Sequence, residues 1–455
     1  MRFQFIGYSP AIALICGLAG SLPALAERLT LDAAIAKAQA TDPRIAERQA
    51  KVKHAKALLL EAEGATGWII DLTSALALAT KVEGGLFEES PQASNATLRD
   101  DVFDVDGVVP FASLQGGLLK PLFTFGKAKN YREAARNNIL IQEQEVPLQR
   151  GLTALDVTKA YYGLLASRAA VALLEEAGGQ LKGALVTAEE LFEDEDSSIS
   201  QVDIYTLKSG IGLLNRYNAT AIGLEKIAMA GLSMLTETDP AALELAESRI
   251  RPQLLPTKSL QELQAMALAS RPEMKQLKAG INALSALVRA KESEMRPNLV
   301  AGLVGTAAYS PGRDSLNNPY ISDPFNQAAL SPILALQWKW QGSRQNAVVA
   351  QAEAELEGLM AKGAFAQKGI PFQVAEAWYN VNALNDSQIA LYEGARDARR
   401  AMTSAYLNFE AGVGEPAKAL DALKNYVLMY SDYLLTVNEY NYQLKNLEFL
   451  TGQLQ

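Results

Sequence analysis

The sequence predicts a mixed α and β membrane protein whose chain carries four transmembrane β-strands and long coiled-coil α-helical hairpins. Three observations lead to this fold class. Segments of the first half of the 455-residue chain recur in order in the second half. Each half has two strand-like runs of about 10–12 residues, the length that crosses a bilayer with tilt. Each half also has a helical stretch longer than those of ordinary globular domains.

Residues 1–26 are expected to form a secretory signal peptide. Arg2 supplies the positive start, an apolar stretch runs from about Ala11 to Leu22, and Ala24-Leu25-Ala26 fits an A-x-A cleavage site. The single cysteine of the chain, Cys16, lies in this segment. The expected mature chain therefore has no cysteine and is not a disulfide-stapled secreted domain.

Composition argues against several functional classes. The chain has 42 basic and 51 acidic residues, so nucleic acid is not expected as a partner. It contains one histidine and one cysteine, which disfavours zinc sites and Cys–His catalytic pairs. His54 is expected to be a surface or packing residue of a helix. We expect no enzyme activity and no catalytic, cofactor-binding or metal-binding residues.

An internal duplication organises the chain. Leu31 and Pro43 correspond to Leu260 and Pro272, with residue i matching residue i + 229. Each segment reads as a short helix with a hydroxyl N-cap, followed by a helix that opens with proline. The expected organisation is a signal peptide (1–26), a first structural repeat (27–240), a linker (241–257) and a second structural repeat (258–455).

The strand-like runs are placed near 68–79, 109–123, 298–309 and 328–340. In the third run, small or polar residues occupy one face and apolar residues the other, which suits a barrel wall with a wet interior. An ordinary half-buried sheet remains an alternative, because periodicity alone does not separate the two. Four strands do not close a barrel of this height, so other subunits have to cap their edges. Trp338 and Trp340, beside Lys339, fit an aromatic girdle at the membrane interface.

The long helices begin at Gly126 and Gly342 and continue to near Phe192 and Phe409. At 1.5 Å per residue each would span roughly 100 Å. Apolar residues recur in them at steps of three and four, which indicates coiled-coil packing. A second helix returns from each tip, placed near 193–200 and 411–416.

Proline residues lie inside both long helices. Pro147 and Pro371 are expected to kink or interrupt them. They occupy non-equivalent positions, so the two halves are expected to bend at different heights.

Several motifs occur in a fixed order along the chain. Taken together, this set resembles the TolC-like outer-membrane efflux protein family (outer membrane factors), and the resemblance covers essentially the whole mature chain. The motifs are Leu31-Asp32-Ala33-Ala34-Ile35 with Asp42-Pro43, Pro121-Leu122-Phe123 before Gly126-Lys127, Ala160-Tyr161-Tyr162, Ala377-Trp378-Tyr379, and Phe409-Glu410-Ala411-Gly412 with Asp421.

The resemblance implies a homotrimer with a 12-stranded β-barrel in outer-membrane lipid, continuous with a periplasmic α-barrel. It implies a passive exit duct of a tripartite efflux or type I secretion system. The partners would be a periplasmic adaptor (membrane fusion) protein and an inner-membrane pump or ABC transporter. The alternative is a structural or adhesive coiled-coil outer-membrane protein that transports nothing.

The resemblance also suggests site residues at the periplasmic end. Gly412 and Asp421 match the tip glycine and a gate-region aspartate, and Lys418, three residues before Asp421, could pair with it or with another subunit. In the first half, the acidic run Glu193-Asp194-Glu195-Asp196 stands where the family usually has a glycine-containing turn. The expected tip or adaptor-docking residues are Glu193, Asp194, Glu195, Asp196, Gly412, Val413 and Gly414, and the gate candidates are Lys418 and Asp421.

A glycine-rich pattern lies at the second tip. Gly412 to Ala417 fits a G-x-G-x-x-A pattern, but it lies at a helix end and does not follow a strand, so a dinucleotide site is rejected.

Overall fold

A computed structural model describes residues 28–82, 107–193, 199–313, 315, 320 and 322–454. The expected signal peptide lies outside these ranges. The described fold is mainly helical and has four strands, in the same order in both halves. The first half has α1 (Leu31–Thr41), α2 (Pro43–Gly64), β1 (Ile69–Thr80), β2 (Val108–Phe123), α3 (Lys127–Phe192) and α4 (Gln201–Thr236); the second has α5 (Leu260–Ser270), α6 (Pro272–Ser293), β3 (Asn298–Tyr309), β4 (Gln327–Gln337), α7 (Ser343–Glu410) and α8 (Pro416–Leu450).

Local sequence signals start the short helices. The carboxylate of Asp42 accepts a hydrogen bond from the backbone N–H of Arg44 at 2.8 Å, and Pro43 opens α2. In the second half, the Ser259 and Glu262 side chains form a capping box at the start of α5. Both devices satisfy N–H groups that the first turn of a helix leaves unpaired.

The long helices are continuous. α3 has 66 residues and contains Pro147, and α7 has 68 residues and contains Pro371. The expected interruption therefore does not occur. Proline removes one backbone donor from a ladder of many, and the hydrogen bonds on either side keep the helix intact. The carbonyl of Pro371 also accepts a hydrogen bond from Gln264 Nε2 at 3.0 Å.

Two compact units divide the chain. The helical unit comprises the described residues up to Thr41, together with Thr153–Leu254 and Ala383–Tyr442. Its core is built from one face each of α3, α4, α7 and α8. Fully or almost fully buried members of this core are Leu181, Leu207, Phe409 and Leu420.

The sheet unit comprises the described residues of Asp42–Leu152, Leu255–Asn382 and Gln443–Gln455. Its sheet has the order β1-β2-β3-β4, and all neighbouring strands are antiparallel. Two glycines allow α6 and α7 to pack closely. A Cβ at Gly280 would lie 3.0 Å from the Leu359 side chain, and a Cβ at Gly363 would lie 3.1 Å from the Leu277 side chain.

A polar cluster joins three helices in the sheet unit. The Glu294 carboxylate accepts hydrogen bonds from the Tyr131 hydroxyl and from Gln345 Nε2, and Lys291 Nζ lies 3.3 Å from it. Burial acts to raise the pKa of Glu294, but the hydrogen bonds from Tyr131 and Gln345 and the charge of Lys291 outweigh it, so this pKa is lowered. Burial and the hydrogen bond to Glu294 raise the pKa of Tyr131.

The helices α4 and α8 end in the same way. Thr236 Oγ1 donates to the Leu232 carbonyl at 2.8 Å, and Thr451 Oγ1 donates to the Leu447 carbonyl at 2.9 Å. In each case residue i of the first half matches residue i + 215 of the second. The next residues, Glu237 and Gly452, both have positive φ, at 48° and 73°.

Among the described residues, no helix is both long enough and apolar enough to cross a membrane.

Candidate functional site

One face of the sheet is largely apolar and exposed. Ile70 lies beside Leu118, Leu118 beside Leu303, and Leu303 beside Pro332, so these side chains share one face. A continuous apolar surface marks contact with a membrane or another protein. We call this surface the apolar face; its exposed large aliphatic side chains are Ile70, Leu72, Leu76, Leu78, Val108, Leu114, Leu303, Leu330, Leu334 and Leu336.

The opposite face carries most of the polar side chains of the sheet, although Ser74 and Lys120 lie on the apolar face. Thr73, Gln115 and Thr306 lie side by side in one row of the ladder, and Asp71 and Ser331 belong to the neighbouring row. Alternation of aliphatic groups on one face with hydroxyl, amide and carboxylate groups on the other is typical of a barrel wall between lipid and water. We call this surface the polar face.

Both outer strands have an unpaired edge. Among the described residues, β1 pairs only with β2, and β4 pairs only with β3. The outer backbone N–H and C=O groups of these strands therefore have no ladder partner, which makes each edge a template for another strand.

Aromatic residues lie at both ends of the apolar face. Trp338 and Trp340 follow β4 and are 64% and 77% exposed, and Trp338 Nε1 donates to the Met295 carbonyl at 3.0 Å. Trp68, which was not among the predicted interface residues, precedes β1 and lies under Lys120, with Nζ 5.3 Å from the ring centroid. The exposed Tyr309 closes β3 at the other end.

The fourth strand was predicted to extend to residue 340, whereas β4 ends at Gln337. Gln337 pairs with Asn298, the first residue of β3, so no β3 residue remains to pair with Trp338.

The turn between α7 and α8 is a Schellman motif. The N–H of Gly412 donates to the Phe409 carbonyl at 3.0 Å, and the N–H of Val413 donates to the Asn408 carbonyl at 3.1 Å. Gly412 has φ +73°, and Val413 is 81% exposed. Gly414 lies close against the helix end, since a Cβ there would be 2.7 Å from the Phe409 nitrogen. The turn is thus packed closely against the end of α7, with Val413 exposed at its apex.

The tip of the first half is only partly described. The N–H of Glu193 donates to the Glu190 carbonyl at 3.3 Å as α3 ends. Asp194, Glu195 and Asp196 lie outside the described residues. After the tip, Ser200 and Asp203 form a capping box that starts α4.

Within the chain, Lys418 and Asp421 belong to two separate ion pairs. Lys418 Nζ lies 3.2 Å from Glu415, and Asp421 lies 3.6 Å from Lys424 Nζ. Each residue instead pairs with a different residue three positions away on α8 or at its start. All four side chains are at least half exposed, so these pairs contribute little to stability.

No metal-binding group occurs in the part of the chain that the structure describes: no three His, Cys, Asp and Glu side chains converge there. His54 lies exposed on α2.

Solved membrane-channel and outer-membrane protein structures share this fold. CusC matches with a TM-score of 0.73 and 16% identity, over 93% of this chain and 92% of that chain. VceC of Vibrio cholerae matches with a TM-score of 0.68 and 16% identity, over 93% and 96%. The MtrE outer-membrane channel of Neisseria gonorrhoeae matches with a TM-score of 0.69 and 16% identity, over 93% and 89%.

At this level of identity the likeness establishes the fold. The fold expected from the resemblance to TolC-like channels is confirmed in its mixed α and β character. No protein-family model matches the chain, and no curated protein matches it.

Proposed function

We propose that this protein is the outer-membrane exit duct of a tripartite efflux or type I secretion system, and that transport through it is passive. The observation that carries the proposal is the sheet, which has an exposed apolar face, a polar face and two unpaired edges. In lipid, a sheet is stable only when its edge groups are paired. The fold shared with outer-membrane channels supports the same location, with the helices in the periplasm.

The proposed assembly is a homotrimer. Three copies of the sheet would give a barrel of 12 strands, joined to a periplasmic α-barrel. A barrel of about eight strands is filled by its own side chains, whereas larger barrels enclose a cavity. In each copy, 27–240 and 258–455 would be the two structural repeats and 241–257 their linker.

The proposed partners meet the protein at two places. Outer-membrane lipid would cover the apolar face, with Trp338 and Trp340 at the interface. A periplasmic adaptor would contact the tips at Glu193–Asp196 and Gly412–Gly414, and would connect the duct to an inner-membrane pump or ABC transporter. Lys418 and Asp421 are the proposed gate residues, each able to exchange its exposed local partner for one on another subunit.

Single-channel recording tests the proposal. The purified protein in detergent should have the mass of three chains by light scattering, and it should give discrete conductance steps in a planar bilayer. A monodisperse monomer would contradict the assembly. An oligomer without conductance would favour the structural or adhesive alternative.

Two variants of β1 provide a matched comparison. Leu76 lies on the apolar face and is 88% exposed, and Thr73 lies on the polar face. Leu76→Lys should block insertion, because a lysine at the bilayer midplane costs about 2–4 kcal/mol in each copy. Thr73→Lys should insert normally and shift ion selectivity toward anions. If both variants insert equally well, the assignment of the two faces is wrong.

Asp421→Arg tests the gate assignment. Three arginines placed together should repel one another and loosen the resting state, which would raise the resting conductance. An unchanged resting conductance would contradict the role of Asp421.

A further inference from the structure

The sheet unit contains a cavity of about 760 Å³ where the polar face meets helices α2 and α3. Strands β1, β2 and β3 form one wall through Ile69, Leu119 and Val300, whose side chains all belong to the polar face. Helices α2 and α3 form the other walls. Small-molecule sites in proteins usually have volumes of about 300–1,000 Å³, so the cavity is large enough to hold such a ligand.

The lining of the cavity is mainly aliphatic. Leu58 of α2 and Pro121 of β2 add to the wall that the strands form. Small side chains at the end of α2 and along α3 widen the cavity on the helical side; these are Ala62, Ala65, Ala128, Ala134 and Ala135. Because burial of apolar surface is favourable, this lining fits a ligand with an aliphatic body.

Three charged side chains also line the cavity. They are Glu61 of α2, Asp71 of β1 and Lys127 of α3, and none of them forms an ion pair with another described residue. Two carboxylates and one ammonium give the lining a formal charge of −1. A ligand with a single positive charge would therefore balance the charge of the cavity.

Other glutamates at the contact of α2 with α3 do have basic partners. Lys56 Nζ lies 3.4 Å from the carboxylate of Glu143, and Arg136 Nη2 lies 3.5 Å from the carboxylate of Glu63. Glu61 differs from both of these glutamates, because it lines the cavity and has no such partner in the described part of the chain.

We propose that this cavity binds an amphipathic organic cation, a molecule with one ammonium group and an aliphatic chain. The ammonium lies near the carboxylates of Glu61 and Asp71 and away from Lys127, and the chain packs against Leu119 and Val300. This inference goes beyond the proposed function, because binding does not require transport. In the proposed duct the polar face lines the interior, so the cavity opens toward the transport path.

Equilibrium dialysis with hexyltrimethylammonium tests the inference. The purified protein is placed in nanodiscs of phosphatidylcholine, and empty nanodiscs serve as the blank. We expect saturable binding, and we expect butyltrimethylammonium to bind more weakly, by about fourfold for each methylene that becomes fully buried. Hexanoate has an aliphatic chain and the opposite charge, and it should not bind. Absence of saturable binding of the cation, or equal binding of hexanoate, would overturn the proposal.

Variants of the three charged residues test which groups the cation meets. Asp71→Asn and Glu61→Gln should each weaken the binding of hexyltrimethylammonium by about two- to fivefold, as expected for a partly exposed ion pair. Lys127→Gln should strengthen it by a similar factor, a gain that misfolding does not produce. The matched control is Glu355→Gln, since Glu355 is exposed on α7 and does not line the cavity. Unchanged affinity in all three cavity variants would contradict the proposed site.

The outcomes separate this inference from the proposed function. If the protein is an oligomer with discrete conductance steps but does not bind hexyltrimethylammonium, the cavity proposal is wrong and the duct proposal stands. If it binds the cation with the expected response to the variants but gives no conductance, the duct proposal is wrong and the binding site stands.

Discussion

Replacing Gly412 by alanine tests how the α7–α8 turn is held. Gly412 has φ +73°, and an added Cβ would meet no atom within 4 Å, so the cost is backbone strain alone. A left-handed conformation costs an L-residue about 1–2 kcal/mol. The equilibrium between the hydrogen-bonded turn and a locally unfolded turn should therefore shift toward the unfolded turn by about 5–30-fold.

Gly414→Ala should have a larger effect. Its Cβ would lie 2.7 Å from the nitrogen and 3.0 Å from the Cα of Phe409, and backbone atoms do not rotate aside as a side chain does. The turn would have to move away from a residue that is fully buried. Gly358→Ala is the matched control, because Gly358 lies inside α7 with open space around it, and alanine there favours the helix by about 0.5–1 kcal/mol.

Hydrogen exchange at the Val413 amide measures the effect, since this N–H donates to the Asn408 carbonyl. Exchange should be about 5–30-fold faster in Gly412→Ala. It should be faster still in Gly414→Ala and no faster than wild type in Gly358→Ala. Equal protection of Val413 in all three variants would refute the reasoning.

Three other expectations concern the rest of the molecule. Tyr131→Phe removes a hydrogen bond to Glu294 and should cost about 1–2 kcal/mol in thermal unfolding at neutral pH. Because the pKa of Glu294 is lowered, the ionised Glu294 contributes its full stabilisation above the ordinary pKa of 4.5 and loses it as the pH falls through the pKa of the folded state. The difference in stability between variant and wild type should therefore shrink in acid, and a constant difference would contradict this. Glu237→Gly relieves a φ of 48° and should stabilise α4 by about 1 kcal/mol in the same assay, whereas destabilisation would show that the Glu237 side chain matters more than its backbone. Lipids brominated at different depths should quench Trp338 and Trp340 most strongly near the headgroups, and strongest quenching at the bilayer centre would contradict their placement.

The regular elements follow from patterns that are local in the sequence. The period of three and four in the long helices and the proline that opens α2 and α6 are visible without a structure. The end of β4 is different, because Trp338 and Trp340 continue the alternation of the strand beyond its last paired residue. The last paired residue of β4 is set by the first residue of β3, Asn298, so it is not predictable from the sequence of β4 alone.

Side-chain partners were harder to predict than the elements. Lys418 has acidic residues three positions away on both sides, Glu415 and Asp421, and spacing alone does not choose between them. The contact of Lys120 with Trp68 joins residues far apart in the sequence, so it becomes visible only when the register of β1 and β2 is known. The site is therefore predictable to the level of turns and faces, and its individual contacts are not.

The exposed sheet also constrains how the protein matures. A newly exported copy with this sheet would present a row of leucines and two open strand edges to every other copy, which is the arrangement that leads to aggregation. The helices have no such difficulty, because their backbone groups are paired within each chain. In the proposed homotrimer, helix formation can therefore precede the sheet, whereas completion of the sheet has to coincide with the meeting of copies or with arrival at lipid. Maturation should then depend on the concentration of chains more steeply than first order, and overproduction should favour misassembly.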